Sequence, residues 1–216
     1  MENDHKRKWE DLAQDPDMEE KYIYTDGDIG FRESGKRDYE RLIKNDKVIQ
    51  DHLGPFEDRT IMEIGCGTGR MTEFMARDFA GVYALDVSRK MVEEGKKRLS
   101  GLAETPWDYE NIEWIETDGA HLPAAVKVDL IFSYIVLQHC PLEIIRSIIQ
   151  DARKSLAPGG IMKIQVRGRE IRQDKWYSGK WFTPSEITLL MDACGFQVEK
   201  IWHDPEEGRY LWIWVI

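Results

Sequence analysis

From Thr60 to Val166 the chain alternates short strand-like runs with stretches of helical periodicity. They are TIMEI, a helix expected from Thr68, GVYALD, SRKMVEEGKKRL, IEWIETD, VDLIFSYI, PLEIIRSIIQDARKSL and IMKIQV. Strands joined through helices have no hairpin between them and pair in parallel, with the helices packed on both faces of the sheet. This feature restricts the chain to a doubly wound α/β architecture. With 216 residues, 42% of them hydrophobic, there is enough apolar surface for one such core and too little for two.

Beyond Gly168 the alternation stops, and REIRQDKWYSGKW reads as irregular. A helix then starts at TPSE, with Thr183 as N-cap, Pro184 at the first helical position and Glu186 completing a capping box; Gly195 ends it. FQVEKIWHD and RYLWIWVI, separated by a PEEG turn, predict a terminal antiparallel hairpin. The N-terminal region is dense in charge, with scattered aromatics (Trp9, Tyr22, Tyr24, Phe31, Tyr39), and DYERLIKNDKVIQDHLG has helical spacing through Tyr39, Leu42, Ile43, Val48, Ile49 and Leu53. Residues 1–43 are expected to form a helical cap, and residues 44–216 the α/β domain.

A net charge of −10 leaves no broad basic surface, so binding to nucleic acid or anionic membrane is disfavoured. Neither a signal-peptide core nor a membrane-spanning run is visible, which predicts a cytoplasmic protein. Cys66, Cys140 and Cys194 are odd in number, far apart and without a Cys-x-x-Cys pair, so neither a disulfide framework nor a zinc site is expected, and no metal is assigned.

The loop after the first strand is Gly65-Cys66-Gly67-Thr68-Gly69, preceded by Glu63. In an open parallel sheet, ligands bind beyond the carboxyl ends of the strands, where such a loop brings backbone N–H groups and a helix N-terminus near them. A dinucleotide fingerprint needs glycine at position 70, where this chain has Arg70, and an acid beside the loop suits a cationic amine better than a pyrophosphate. Asp86 ends the second strand, where a carboxylate can accept both hydroxyls of a ribose; its plain alternative, a helix N-cap, is a role Ser88 can fill. Asp118 ends the third strand, within reach of an adenine amine. Three acids at successive strand ends point to one nucleoside carrying an amino-acid tail.

Glu63, the glycine loop, Asp86, Asp118-Gly119-Ala120, VDLIFSYIVLQHCP and LAPGG together resemble the ordered motifs of class I S-adenosylmethionine-dependent methyltransferases, over roughly residues 44–216. The resemblance implies a Rossmann-like seven-stranded sheet whose last strand is antiparallel, with S-adenosylmethionine as cofactor. It implies that Glu63, Gly65, Cys66, Gly67, Thr68 and Gly69 border the methionine moiety, that Asp86 holds the ribose, and that Asp118, Gly119 and Ala120 hold the adenine between Val87 and Met91. Ser133 and Gln138 fall where the family meets the methionine tail and the substrate.

A sulfonium methyl is already activated, so such an enzyme mainly aligns a nucleophile and excludes water. His139 is the candidate general base, against a structural role bonded to the next helix; Tyr134 and Gln138 line the pocket or simply pack. The Asn/Asp-Pro-Pro-aromatic signature of adenine or glutamine methylation is absent, and Cys140 precedes a proline instead of following one as a cytosine-C5 nucleophile does. A small-molecule O- or N-acceptor is the expected substrate, with a homodimer left open. The alternatives are a protein or RNA methyltransferase and a non-catalytic nucleoside-binding scaffold. Acceptor choice is expected to fall on GFRESGKRDY, which could close over the cofactor or stay solvated, and on RGREIRQDKWYSGKWF. The latter's Arg167, Arg169, Arg172, Lys175 and Lys180 lie beside Trp176, Tyr177, Trp181 and Phe182 and suit an anionic, sugar or aromatic metabolite.

Overall fold

The computed structural model describes residues 4–15, 29–105, 108–123, 125–168, 179–203 and 210–216. Tyr22, Tyr24, the PEEG turn and Arg169, Arg172, Lys175, Trp176 and Tyr177 of the basic-aromatic segment lie outside the described residues. The chain falls into two compact units, Met1–Gly119 and Ala120–Ile216.

The first unit begins with α1 (Asp4–Leu12), α2 (Phe31–Tyr39), a π-helical turn Glu40–Lys44 and α3 (Lys47–Leu53). The continuous helical periodicity read across residues 39–53 is thus broken. Asp46 leaves the helix to cap α3, its side chain accepting from Ile49 N–H at 3.0 Å, the role a short acid fills best. Three strands follow, β1 (Thr60–Ile64), β2 (Gly81–Asp86) and β3 (Ile112–Glu116), with α4 (Thr72–Asp78) and α5 (Arg89–Leu102) as the crossovers. β2 pairs in parallel with both neighbours, Ile64 opposite Leu85 and Asp86 opposite Glu116, so the strands end level with one another. Ile61, Met62, Met75, Ala84, Leu85 and Leu99 are buried between them and the helices; each large side chain of this kind contributes about 1.5–3 kcal/mol. α4 starts at Thr72 instead of Thr68, because Gly67 and Gly69, at φ 54° and 80°, hold the loop in left-handed conformations that a helix cannot contain.

The second unit contains β4 (Val128–Ser133), a 3-10 turn Leu137–His139, α6 (Leu142–Ser155), β5 (Leu156–Gly168), β6 (Trp181–Phe182), α7 (Pro184–Ala193), β7 (Val198–His203) and β8 (Tyr210–Val215). β5 pairs in parallel with β4 and β6, and β8 runs antiparallel to both β5 and β7. The reversed last strand and its pairing with β7 are as the sequence predicts. The capping box is present: Glu186 N–H donates to Thr183 Oγ1 at 3.2 Å and Thr183 N–H to Glu186 Oε2 at 2.7 Å. The short β6 makes eight strands among the described residues where seven were expected. β4 stops at Ser133, two residues early, because Ile135 turns to φ 60°. No helix among the described residues is long and apolar enough to cross a membrane.

Candidate active site

In the first unit the Gly65–Gly69 loop folds back onto the end of β2. Gly65 and Cys66 N–H both donate to the Leu85 carbonyl, at 2.7 and 2.9 Å; Gly67 N–H donates to Asp86 Oδ2 at 2.9 Å and Gly69 N–H to the Cys66 carbonyl at 2.9 Å. The loop's donors are therefore largely spent inside the protein, where the sequence led us to expect them facing a ligand. What remains is Thr68 Oγ1, a buried hydroxyl with no hydrogen-bond partner among the described residues. A buried polar atom left in this state is costly and calls for a ligand.

The loop is held from behind. A Cβ on Gly69 would lie 2.7 Å from the Trp114 ring, and one on Gly95 in α5 would lie 2.6 Å from it, so both glycines are needed for α5 and the loop to close over that indole. Arg98 Nε donates to the Thr68 carbonyl at 3.0 Å, its Nη2 donates to the Gly69 carbonyl, and its Nη1 reaches Glu73 Oε2 at 3.2 Å. Arg70, which stands where a dinucleotide fold has glycine, donates to Asp38 Oδ2 at 2.7 Å and Ser34 Oγ at 3.1 Å. A Cβ at Gly35 would meet the Arg70 carbonyl oxygen at 2.1 Å. GFRESGKRDY is thus not a solvated helix: α2 is docked on the loop, with Ser34, Gly35, Asp38 and Tyr39 buried.

Two carboxylates border the loop. Glu63, 6% exposed, accepts from Thr72 Oγ1 at 2.5 Å. Burial pushes its carboxyl up to about 7, opposed by the Thr72 bond and by Arg70 and Arg98, and reinforced by Asp86. Half-buried Asp86 accepts from Gly67 N–H through Oδ2 and from Ser88 N–H through Oδ1, both at 2.9 Å. Burial raises its carboxyl as well, against these backbone bonds. The capping role falls to Ser88, whose Oγ accepts from Met91 N–H at 3.3 Å, so Asp86 is not the N-cap of α5. Asp118 is exposed, and Gly119 N–H donates to Thr117 Oγ1 at 3.2 Å. Val87 is half-buried.

α1, within the N-terminal segment expected to form a cap, lies over this strand-end region. Glu10 accepts from Arg89 N–H at 2.8 Å and from Ser88 Oγ at 3.1 Å; Lys6 Nζ donates to Glu116 Oε1 at 2.5 Å and the Thr117 carbonyl at 3.2 Å. Ala13 and Trp9 pack on Met91.

In the second unit the segment after β4 is tightly constrained. Ser133 is buried, and half-buried Tyr134 stacks on Trp212 with ring centroids 5.4 Å apart. Ile135 N–H donates to Gln165 Oε1 at 3.2 Å. Gln138 Nε2–H donates to His139 Nε2 at 3.2 Å, which requires that ring nitrogen to be unprotonated. A Cβ on Gly179 would sit 2.1 Å from the Gln138 carbonyl oxygen, and Lys180 N–H donates to the Cys140 carbonyl at 3.1 Å, so the chain returning to β6 is fastened to this turn. The Cys140 thiol is pushed up to about 12 by burial, which removes it as a nucleophile. Arg167, read from the sequence as part of a basic loop, is instead a buried residue of β5 whose guanidinium lies 3.8 Å from the Trp181 ring centroid. The half-buried Ala120 opens the unit.

Residues 61–160 match the family model described as a methyltransferase domain. The demethylmenaquinone methyltransferase of Tropheryma whipplei (strain Twist) is 30% identical over 176 residues, covering 67% of this chain and 69% of that one. A trans-aconitate 2-methyltransferase of Methylobacterium nodulans is 32% identical over 108 residues, 49% of this chain and 37% of the relative. A malonyl-[acyl-carrier protein] O-methyltransferase of Xylella fastidiosa (strain M23) is 33% identical over 121 residues, 55% of this chain and 38% of the relative. The match thus spans well under half the length of those last two proteins. Among solved structures, the magnesium protoporphyrin IX methyltransferase of Synechocystis PCC 6803 with bound SAH superposes with a TM-score of 0.71 at 18% identity, over 97% of this chain and 98% of that one, which establishes the fold. The chain belongs to the class I S-adenosylmethionine-dependent methyltransferase family.

Proposed function

We propose that this protein is a cytoplasmic S-adenosylmethionine-dependent methyltransferase acting on an O or N atom of a small-molecule acceptor. The observation that carries the reading is the pair of carboxylates, Glu63 and Asp86, kept beside the glycine loop although burial raises both of their pKa values. Such a pair is costly without a cationic, hydroxyl-rich ligand and favourable with one. The relatives' names, which include trans-aconitate, malonyl-[acyl-carrier protein] and demethylmenaquinone methyltransferases, support a small acceptor.

When bound, S-adenosylmethionine supplies a methyl group already activated on a sulfonium. The residues that fit it are Glu63 for the ammonium, Thr68 Oγ1 and the loop for the amino-acid tail, Asp86 for the ribose, and Asp118 with Gly119 and Ala120 for the base. Val87 and Met91 provide apolar faces. Ser133, Tyr134, Gln138 and His139 belong to the acceptor side, where His139 takes a proton if the nucleophile carries one. α1 and α2 close the cofactor side against water. Calorimetric titration tests the reading: S-adenosylhomocysteine binding with no NAD binding supports it, and tight NAD binding alone overturns it. Labelled methyl transfer across metabolite pools then tests turnover.

A further inference from the structure

β5 carries an unusual row. Lys163, Gln165 and Arg167, at alternate positions of a strand paired on both sides, share one face and are all buried, between 1% and 2% exposed. Buried strands of parallel sheets are normally apolar on both faces. Two of the three have evident companions: Lys163 Nζ lies 4.8 Å from the Trp212 ring centroid and 4.6 Å from that of Trp214, and the Arg167 guanidinium lies over Trp181. Gln165 differs. Ile135 N–H donates to its Oε1, which fixes the amide's orientation and leaves Nε2 as the far end, and Nε2 has no hydrogen-bond partner among the described residues. A fully buried amide NH2 with both protons unused asks for an oxygen acceptor.

The surroundings restrict what that acceptor is. Arg167 is two residues along the same strand face, so the Cα atoms of the two residues are about 7 Å apart and both side chains leave the strand on one side. Trp212 is directly opposite Gln165 in the β5–β8 register and stacks on Tyr134, while Trp181 is opposite Arg167 in the β5–β6 register. Two donors, one of them cationic, between aromatic walls match a carboxylate borne on a flat or apolar body. The backbone at this point is held in an uncommon state. Ile135 is β-branched and sits at φ 60°, and Gln165 Oε1 is the hydrogen-bond partner of its N–H. Strain of this kind persists where surrounding structure enforces it and concentrates at binding sites.

We infer that Gln165 and Arg167 form the recognition site for a carboxylate of the methyl acceptor, with Tyr134, Trp212 and Trp181 as its aromatic walls. This rests on the methyltransferase reading above and names the class of its acceptor.

The test uses the full chain and a small-metabolite extract divided by anion exchange into anionic and non-anionic pools, each incubated with methyl-labelled S-adenosylmethionine. Wild-type protein should label a compound from the anionic pool. Prior amidation of carboxylates with a carbodiimide and glycinamide should abolish the labelling, and phosphatase treatment should leave it intact. Gln165→Glu keeps an oxygen for Ile135 N–H and replaces the free donor with negative charge. It should lower labelling at least tenfold, with S-adenosylhomocysteine affinity and melting temperature near those of wild type. Arg167→Met should lower it similarly, and if it fails to fold, Gln165→Glu carries the decision. Labelling from the non-anionic pool, loss of labelling after phosphatase, or full activity in Gln165→Glu overturns the carboxylate site and leaves the methyltransferase reading standing. No labelling from any pool by a protein that binds S-adenosylhomocysteine overturns both.

Discussion

Thr72 Oγ1 donates to Glu63 Oε2 at 2.5 Å, tying the first residue of α4 to the carboxylate that borders the glycine loop. The bond favours the charged carboxylate, yet burial outweighs it and the carboxyl is pushed up to about 7. A carboxyl that holds its proton more tightly folded than unfolded contributes stability below its unfolded value of about 4.5, and that stability is lost as pH rises to about 7. The deprotonated form is also the one that pairs with an ammonium.

Two opposite pH trends follow. The melting temperature of ligand-free protein, relative to Glu63→Gln, should fall between about pH 4.5 and 7 as the buried charge forms. S-adenosylhomocysteine affinity should rise across the upper part of the same window, and Glu63→Gln should flatten that rise. Calorimetric titration at several pH values reads the affinity; an affinity independent of pH in the wild type removes Glu63 from the ammonium site.

Asp86 is engaged twice already, by Gly67 N–H and Ser88 N–H. Its replacement by Ala should therefore act both through the ribose and through the loop. We expect S-adenosylhomocysteine binding to weaken by about 1.5–3 kcal/mol, the range for a lost charge-assisted hydrogen bond, with a modest drop in melting temperature. A large fall in melting temperature with unchanged affinity would falsify the ligand role and leave Asp86 a loop anchor.

The parallel sheet and its reversed last strand are legible in the sequence because apolar runs and capping boxes are local signals. So are Gly65, Gly67, Gly69, Glu63 and Asp86, which lie at fixed offsets around one turn. The partners that hold them are not legible. Glu10 meets Ser88 across 78 positions, Arg98 reaches the Thr68 carbonyl across 30, and no spacing rule connects residues that tertiary packing brings together. Gln165 and Arg167 are hidden for another reason. The alternation Lys163-Ile164-Gln165-Val166-Arg167 has the period of a strand with one wet face, and burial of its polar face is visible only once β8 and β6 are in place.

The Trp114 indole explains two glycines at once, which makes the explanation testable by rescue. Gly95→Ala would bring a methyl to 2.6 Å from the ring inside a packed helix–strand contact. Overpacking of this kind costs about 1–3 kcal/mol, against a gain of up to about 1 kcal/mol from replacing a helical glycine. Denaturant titration should therefore show net destabilisation. Trp114→Leu withdraws the ring atoms that collide, so the double variant should be more stable than the sum of the single losses predicts. Strict additivity would mean that the indole does not set the glycine requirement.

His139 is half-buried and bonded through Nε2 to Gln138, a geometry that serves either a base or a structural residue. The two roles separate at saturating cofactor, where the titration of Glu63 no longer limits binding. If His139 accepts the acceptor's proton and chemistry limits turnover, kcat should rise with pH in the wild type and lose that rise in His139→Ala. His139→Ala should then lose about 10²–10⁴ in kcat, with S-adenosylhomocysteine affinity and melting temperature nearly unchanged. A structural His139 gives the reverse pattern: the same substitution costs roughly 0.5–1.5 kcal/mol of stability through the lost Gln138 bond, and activity falls only with the folded fraction. A stable variant with near-normal kcat rejects the base, and catalysis then depends on aligning the acceptor and excluding water.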